Sequence, residues 1–192
     1  MKVVLLGGNG YIGRGLCAEW SKTHPTMEIY VVSRTKQGLY KSAQVKHIEA
    51  DVKEIEKISE QLPESIDYIV NLIGKQSNNP IKMELEHRQA ATTMLALAEA
   101  KKAKAMGLLG TNMGPDAFQQ VKRDMRDFLK KSIIPLAYME VSVVRGGLGR
   151  KDKAGKMIWF FEIISLFNRE KRPLNMPVFA ARFWNLLVGA SK

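Results

Sequence analysis

Residues 7–13 read Gly-Gly-Asn-Gly-Tyr-Ile-Gly, with glycines at 7, 10 and 13 of the repeating triplet. No other stretch constrains the chain as strongly, because of what flanks it. Val3, Val4, Leu5 and Leu6 form a short apolar run, β-branched at its start, which the glycines end. Ile12, Leu16 and Trp20 then recur every four residues with Cys17 beside them, the pattern of a helix with one buried stripe. Pro25 limits that helix on its far side. The glycines therefore sit between a buried strand and an amphipathic helix. Glycine permits positive φ and close approach of backbone to a ligand. A helix N-terminus offers N–H groups and a partial positive charge to an anion. A pyrophosphate satisfies both, and strand, glycines and helix together point to a dinucleotide.

The rest of the chain repeats the alternation. Strand-like runs lie at 2–6, 28–32, 45–49, 67–73, 104–109 and 139–144, with helical patterns between most of them. Residues 53–62 place Ile55, Ile58 and Leu62 on one face. Pro80 suits the first turn of a helix whose stripe is Met83, His87, Ala90, Ala91, Met94, Leu95 and Ala98. Residues 116–131 turn Phe118, Val121, Met125, Phe128 and Leu129 inward. This predicts an α/β fold: a Rossmann-type doubly wound parallel sheet with right-handed crossovers and strand order 3-2-1-4-5-6. The ligand is expected at the carboxyl edge of that sheet. Residues 1–150 are read as the Rossmann domain and 151–192 as a small C-terminal cap on the substrate side.

Composition narrows the partners. The chain has 192 residues, which suits one domain plus a small appendage. Thirty Lys+Arg against 19 Asp+Glu leave a net charge of +11, with the basic residues thickest in 101–104, 122–131 and 150–172. Such a surface favours anionic partners: phosphorylated cofactors, acidic lipids or nucleic acid. Solvated helix faces account for most of these lysines, and nothing matches a nucleic-acid module. A single cysteine, Cys17, excludes an internal disulfide and suits a reducing compartment. It reads as a buried apolar residue, not a nucleophile. His24, His47 and His87 lie far apart, so no metal site is expected. The apolar run before the glycines is too short for a signal peptide, and no run of about 18 apolar residues marks a membrane span. The expected location is the cytoplasm.

The second strand ends "VVSRTK". An NAD-type site carries an acid there, about 20 residues past the glycines, to bond the ribose 2′-hydroxyl. Here Arg34 stands 21 residues after Gly13, with Ser33 before it and Lys36 after. A guanidinium suits a 2′-phosphate through charge-assisted bonds. The sequence predicts NADP(H) over NAD(H).

The G-x-x-G-x-x-G form resembles the extended and atypical short-chain dehydrogenase/reductases. Two further positions carry the resemblance. Asp51-Val52 follows the third strand, where the resemblance implies an aspartate on the adenine amine; an N-cap for the helix at 53–62 is the other reading. Asn71, Leu72, Ile73 and Gly74 end the fourth strand, where the family has N-x-x-G packed against the adenosine ribose. The likeness covers most of residues 1–150. It implies cofactor contacts from Gly7, Asn9, Gly10, Tyr11, Ile12 and Gly13, from Ser33 and Arg34, and from the two later stretches. The "NLIG" text is also similar to the subgroup near the complex I accessory subunit.

The same resemblance implies a Tyr-x-x-x-Lys pair on the fifth helix and a Ser or Thr on the strand before it. Lys122 fits the lysine, which would anchor the nicotinamide ribose, although a solvated lysine on a basic helix is the competing reading. The tyrosine position holds Phe118, which has no proton to give. Thr111 is the best match for the hydroxyl residue, with Asn112 beside it. "SVVRGGLGR" resembles the family's strand ending in R-P-G, with Gly146 where proline is common. Without the tyrosine, standard carbonyl reduction should be weak or absent, since general acid catalysis contributes roughly 10²–10⁴-fold. Two functions stay open. One is an NADP-dependent oxidoreductase with an altered site, in which Thr111 and Lys122 support hydride transfer to a quinone- or flavin-like small-molecule acceptor. The other is a non-catalytic NADP(H)-binding structural or redox-sensing module.

Residues 157–167 read "MIWFFEIISLF", apolar on nearly every helical face and flanked by Lys151, Lys153, Lys156, Arg169, Lys171 and Arg172. Eleven residues cannot span a bilayer. A lid over the substrate end of the sheet is expected; the alternative is an interfacial helix through 151–172 on an anionic membrane or a protein partner. Pro177, Val178 and the helix around Phe183, Trp184 and Leu187 resemble a family stretch that normally holds an acidic residue. So short a substrate region argues against a sugar-nucleotide epimerase.

Overall fold

The computed structural model describes residues 1–35, 40–74, 76–148 and 173–192. Lys36 and the run 157–167 with its basic flanks lie outside the described residues. The chain builds a six-stranded sheet in the order β3-β2-β1-β4-β5-β6, every adjacent pair parallel. These strands are β1 (Lys2–Leu6), β2 (Glu28–Ser33), β3 (Val45–Glu49), β4 (Tyr68–Asn71), β5 (Ala105–Thr111) and β6 (Leu136–Val141). The expected doubly wound order is therefore the observed one.

The helices cover both faces. Among the described residues they are α1 (Tyr11–Thr23), α2 (Ile55–Gln61), α3 (Pro80–Ala100), α4 (Asp116–Leu129) and α5 (Met176–Ala190). A two-residue parallel pair, β7 (Val144–Arg145) with β8 (Leu174–Asn175), ties the chain after the sheet to the start of α5. The apolar run of β1 shows why both faces must be covered. Val3 and Leu5 pack into one core with α1 and α5, whereas Val4 and Leu6 pack into the other with α2, α3 and α4. All four are fully buried, as a central parallel strand with period-two side chains requires. At the head of α3, Pro80 fills the first helical position and Asn79 caps it, its Oδ1 accepting from the Lys82 N–H at 3.0 Å.

Two elements differ from the sequence reading. The last sheet strand starts at Leu136, not at 139, because the Pro135 carbonyl already accepts from the Met106 N–H at 2.8 Å. It ends at Val141, and Val144 belongs to the separate β7. The sequence places the segment of α5 in a cap beyond residue 150. Its Phe179, Phe183 and Leu187 are instead fully buried in the core shared with α1. Trp20 of α1 stacks on Phe183 with ring centroids 6.5 Å apart and donates its indole N–H to the Ala180 carbonyl at 3.1 Å. Residues 173–192 thus complete one layer of the Rossmann unit.

Candidate functional site

The glycine loop crosses the carboxyl ends of β1 and β2. Gly7 takes φ +74°, and its N–H donates to the Val32 carbonyl at 2.8 Å. This turns the chain back over the sheet, in a conformation that side-chain-bearing residues rarely adopt. Gly10 N–H donates to the Gly7 carbonyl, and Arg14 N–H to Gly10, both at 3.0 Å. Gly10 is the N-cap of α1 and brings no side-chain oxygen to the first amides. Gly13 packs so closely that a Cβ there would overlap the Gly8 backbone.

A cleft of about 360 Å³ opens beside this loop. Its walls are Gly7, Asn9 and Gly10, the end of β2 from Val32 to Thr35, the turn 50–53, Ile73, and Glu86 and Gln89 of α3. The Thr35 carbonyl accepts from the Ser33 hydroxyl at 2.8 Å and from the Asn9 amide at 3.1 Å. These two bonds fasten the glycine loop to the turn that presents Arg34. Arg34 is exposed, lines the cleft and pairs with no carboxylate among the described residues.

Asp51 serves the backbone as well as the cleft. Its Oδ1 accepts from the Lys53 N–H at 3.0 Å, while Glu54 reaches back to accept from the Asp51 N–H at 2.7 Å. Helix α2 starts at Ile55 with Glu54 as its N-cap residue, so Asp51 does not cap it; the two bonds instead order the turn that leads into the helix. Asn71 is 2% exposed, and its Oδ1 accepts from the Ile73 N–H at 2.9 Å. The bond turns Leu72, Ile73 and Gly74 across the mouth of β4, where Ile73 closes on Gly7.

Lys122 of α4 is buried, only 6% exposed. Its Nζ donates to the Ile73 carbonyl at 3.3 Å and lies 5.9 Å from the centre of the Phe118 ring. It fits because residue 74 is glycine: a Cβ there would come within 2.6 Å of Nζ. Burial pulls the ammonium down to a pKa of about 8. His87 of α3, also buried, meets Phe118 edge-on at 5.8 Å. Phe118 itself is half-buried at this junction rather than deep in the core. The Thr111 hydroxyl donates to the Met113 carbonyl at 3.0 Å and accepts from the Met113 N–H at 3.1 Å, so it is spent on its own turn. Thr111 and Lys122 share the carboxyl edge but form no bond with each other.

The lowered lysine has a measurable consequence. Its folded pKa is near 8 and its ordinary value 10.5, so the unfolded chain binds more protons between those two values. Stability should therefore rise as pH goes from about 8 to 10.5, and be lowest with respect to this group below 8. Lys122→Met should remove that rise and stabilise the chain at neutral pH, on the order of 3 kcal/mol at most. Urea unfolding of both proteins across this pH range checks it.

The loop at 145–148 reaches back to α1. Gly147 N–H donates to the Tyr11 hydroxyl at 2.9 Å, and the Arg14 guanidinium bonds the Asn9 carbonyl at 2.7 Å and the Leu148 carbonyl at 3.3 Å. Cys17 is buried and its thiol is pushed up to about 12, in keeping with an inert apolar role. Among the described residues there is no group of three potential metal ligands, and no helix is long and apolar enough to cross a membrane.

The family model described as "NAD dependent epimerase/dehydratase family" matches residues 3–126, from β1 into the last turns of α4. The chain belongs to that family. Solved structures agree on the fold of this epimerase/dehydratase relative. WbmG from Bordetella bronchiseptica, in complex with NAD, is 18% identical over 97% of this chain and 68% of its own, with a TM-score of 0.75. The UDP-Glc/GlcNAc 4-epimerase from Campylobacter jejuni is 14% identical over 97% of this chain and 74% of its own, with a TM-score of 0.73. The oxidoreductase ylbE from Lactococcus lactis is 18% identical over 91% of this chain and 90% of its own, with a TM-score of 0.63. No curated protein matches the sequence. The atypical short-chain dehydrogenase/reductase resemblance is supported; the finer likeness to the complex I subgroup receives no support from these matches.

Lys53, Glu86 and Gln89 also line the cleft and were missed in the sequence. A signal for the two α3 residues existed. Glu86, Gln89 and Thr93 recur at helical spacing beside the apolar stripe, which marks a polar flank aimed at a neighbour.

Proposed function

We propose that this epimerase/dehydratase-family chain binds NADP(H) in the cleft and passes a hydride to a quinone- or flavin-like acceptor that takes its proton from water. One observation supports the cofactor preference above all. Where an NAD site has an acid at the end of the second strand, this chain presents an exposed arginine with no carboxylate partner among the described residues. A guanidinium there favours a 2′-phosphate. The loop fits the pyrophosphate, because Gly13 brings α1 against the loop and Gly10 leaves the helix end without a side-chain cap. The NAD complex of WbmG supports the same ligand class.

A bound dinucleotide would supply the hydride. The chain's own share is to hold and orient it. Lys122 stands under Gly74 with its Nζ on a backbone carbonyl, ready to exchange that bond for a ribose hydroxyl. Ile73 and Gly7 close the floor. Phe118 gives an apolar wall and no proton, which suits an acceptor protonated by solvent. A second reading, a non-catalytic NADP(H)-binding module, is favoured by Thr111, whose hydroxyl is already bonded twice within its own turn.

Fluorescence titration of wild type and Arg34→Ala with NADPH and NADH tests the cofactor. NADPH should bind the wild type more tightly. The variant should lose roughly 10- to 100-fold in NADPH affinity, the worth of about 1.5–3 kcal/mol for a charged hydrogen bond, and little in NADH affinity. Equal wild-type affinities for the two would overturn the preference. Turnover of NADPH with a quinone panel supports the enzyme; tight binding without turnover supports the module.

A further inference from the structure

We infer that Glu86 and Gln89 of α3 read the exocyclic amine edge of the adenine, an inference that rests on the dinucleotide reading of the cleft. Residues 86, 89 and 93 fall on one stripe of α3 by helical spacing. The direction of that stripe is fixed at Thr93, whose hydroxyl donates to the Val52 carbonyl at 2.7 Å. It therefore faces the turn after β3. One turn nearer the N-terminus, Gln89 lies half-buried against the same cleft, and Glu86 follows at its rim. Neither side chain has a hydrogen bond or ion pair with another described residue, although carboxylates and cations are abundant nearby.

The chemistry of these two groups matches one base edge. Adenine offers an amine donor beside a ring-nitrogen acceptor. A glutamine amide carries one donor and one acceptor side, and it complements such an adjacent pair. A glutamine alone can turn over and serve hypoxanthine, whose edge has the opposite polarity. Glu86 breaks that symmetry, because an ionised carboxylate only accepts. It welcomes the amine and repels a carbonyl oxygen.

The test compares NADPH with its deaminated analogue, reduced nicotinamide hypoxanthine dinucleotide phosphate. Wild type should bind NADPH about tenfold tighter, the value of one good hydrogen bond. In the Glu86→Ala/Gln89→Ala double variant that ratio should fall to about two, while the preference for NADPH over NADH, read by Arg34, persists. Alanine is a strong helix former, so α3 should stay intact, and circular dichroism verifies it. If the double variant keeps the full adenine discrimination, this inference fails and the cofactor reading stands. If wild type binds neither nucleotide, both fail together.

Discussion

Gly13→Ala should destabilise the chain by about 3 kcal/mol and cost it at least roughly tenfold in nucleotide affinity. The added methyl would overlap Gly8 backbone atoms, and neither partner can move aside as a flexible side chain would. Relief requires the first turn of α1 to slide away from the loop. That movement separates the α1 amides from Gly7, which is held to Val32 by a 2.8 Å bond. Gly189→Ala is the control. It lies in α5 with nothing within 4 Å of an added Cβ, so the change should stabilise by about 0.5–1 kcal/mol through helix propensity alone. Paired thermal and denaturant unfolding, with NADPH titration on each variant, separates a steric effect from a general glycine effect. Two variants of the same sign would remove the steric account.

Gly13 also illustrates what a sequence can disclose. Three glycines at fixed spacing between an apolar run and a helical stripe leave few ways to fold, because both flanks must be buried and the backbones must meet. The sheet order followed from that and from regular alternation. The end of the chain was less legible. Phe179, Phe183 and Leu187 form a helical stripe, but a stripe says that a face is buried and not against what. Only the shared core with Trp20 assigns it to the sheet layer. The site divides in the same way. Residue type marked Arg34 and Lys122. Only its position points to Thr111, and the bonds that occupy its hydroxyl come from the turn at Met113, which periodicity does not encode. Asp51 had two readings in the sequence. The structure keeps its place in the cleft and drops the N-cap, because α2 starts only at Ile55 with Glu54 before it and the Asp51 carboxylate bonds Lys53 in the preceding turn.

Phe118→Tyr should raise NADPH-dependent reduction of small carbonyl compounds by roughly 10²–10⁴-fold over wild type, if the absent hydroxyl is what limits that reaction. The surroundings favour a functional hydroxyl. Lys122 Nζ lies 5.9 Å from the ring centre, one helical turn further along α4. The ring is half-buried, near the positive-φ Gly114. An ammonium beside a phenol stabilises the phenolate and makes the proton easier to exchange near neutral pH. Because burial already lowers the lysine to about 8, the new activity should decline as pH rises through that value and the positive charge is lost. Adding Lys122→Met to the tyrosine variant should cancel the gain while leaving the fold intact, as the stability prediction for that substitution requires. Initial rates of NADPH oxidation with aldehydes and ketones, measured for the single and double variants across pH 6–10, decide the matter. A tyrosine variant that binds NADPH as wild type does, yet gains no rate, would locate the deficit elsewhere. Thr111 is then the next group to examine, since its hydroxyl would have to leave Met113 before it could hold a substrate oxygen.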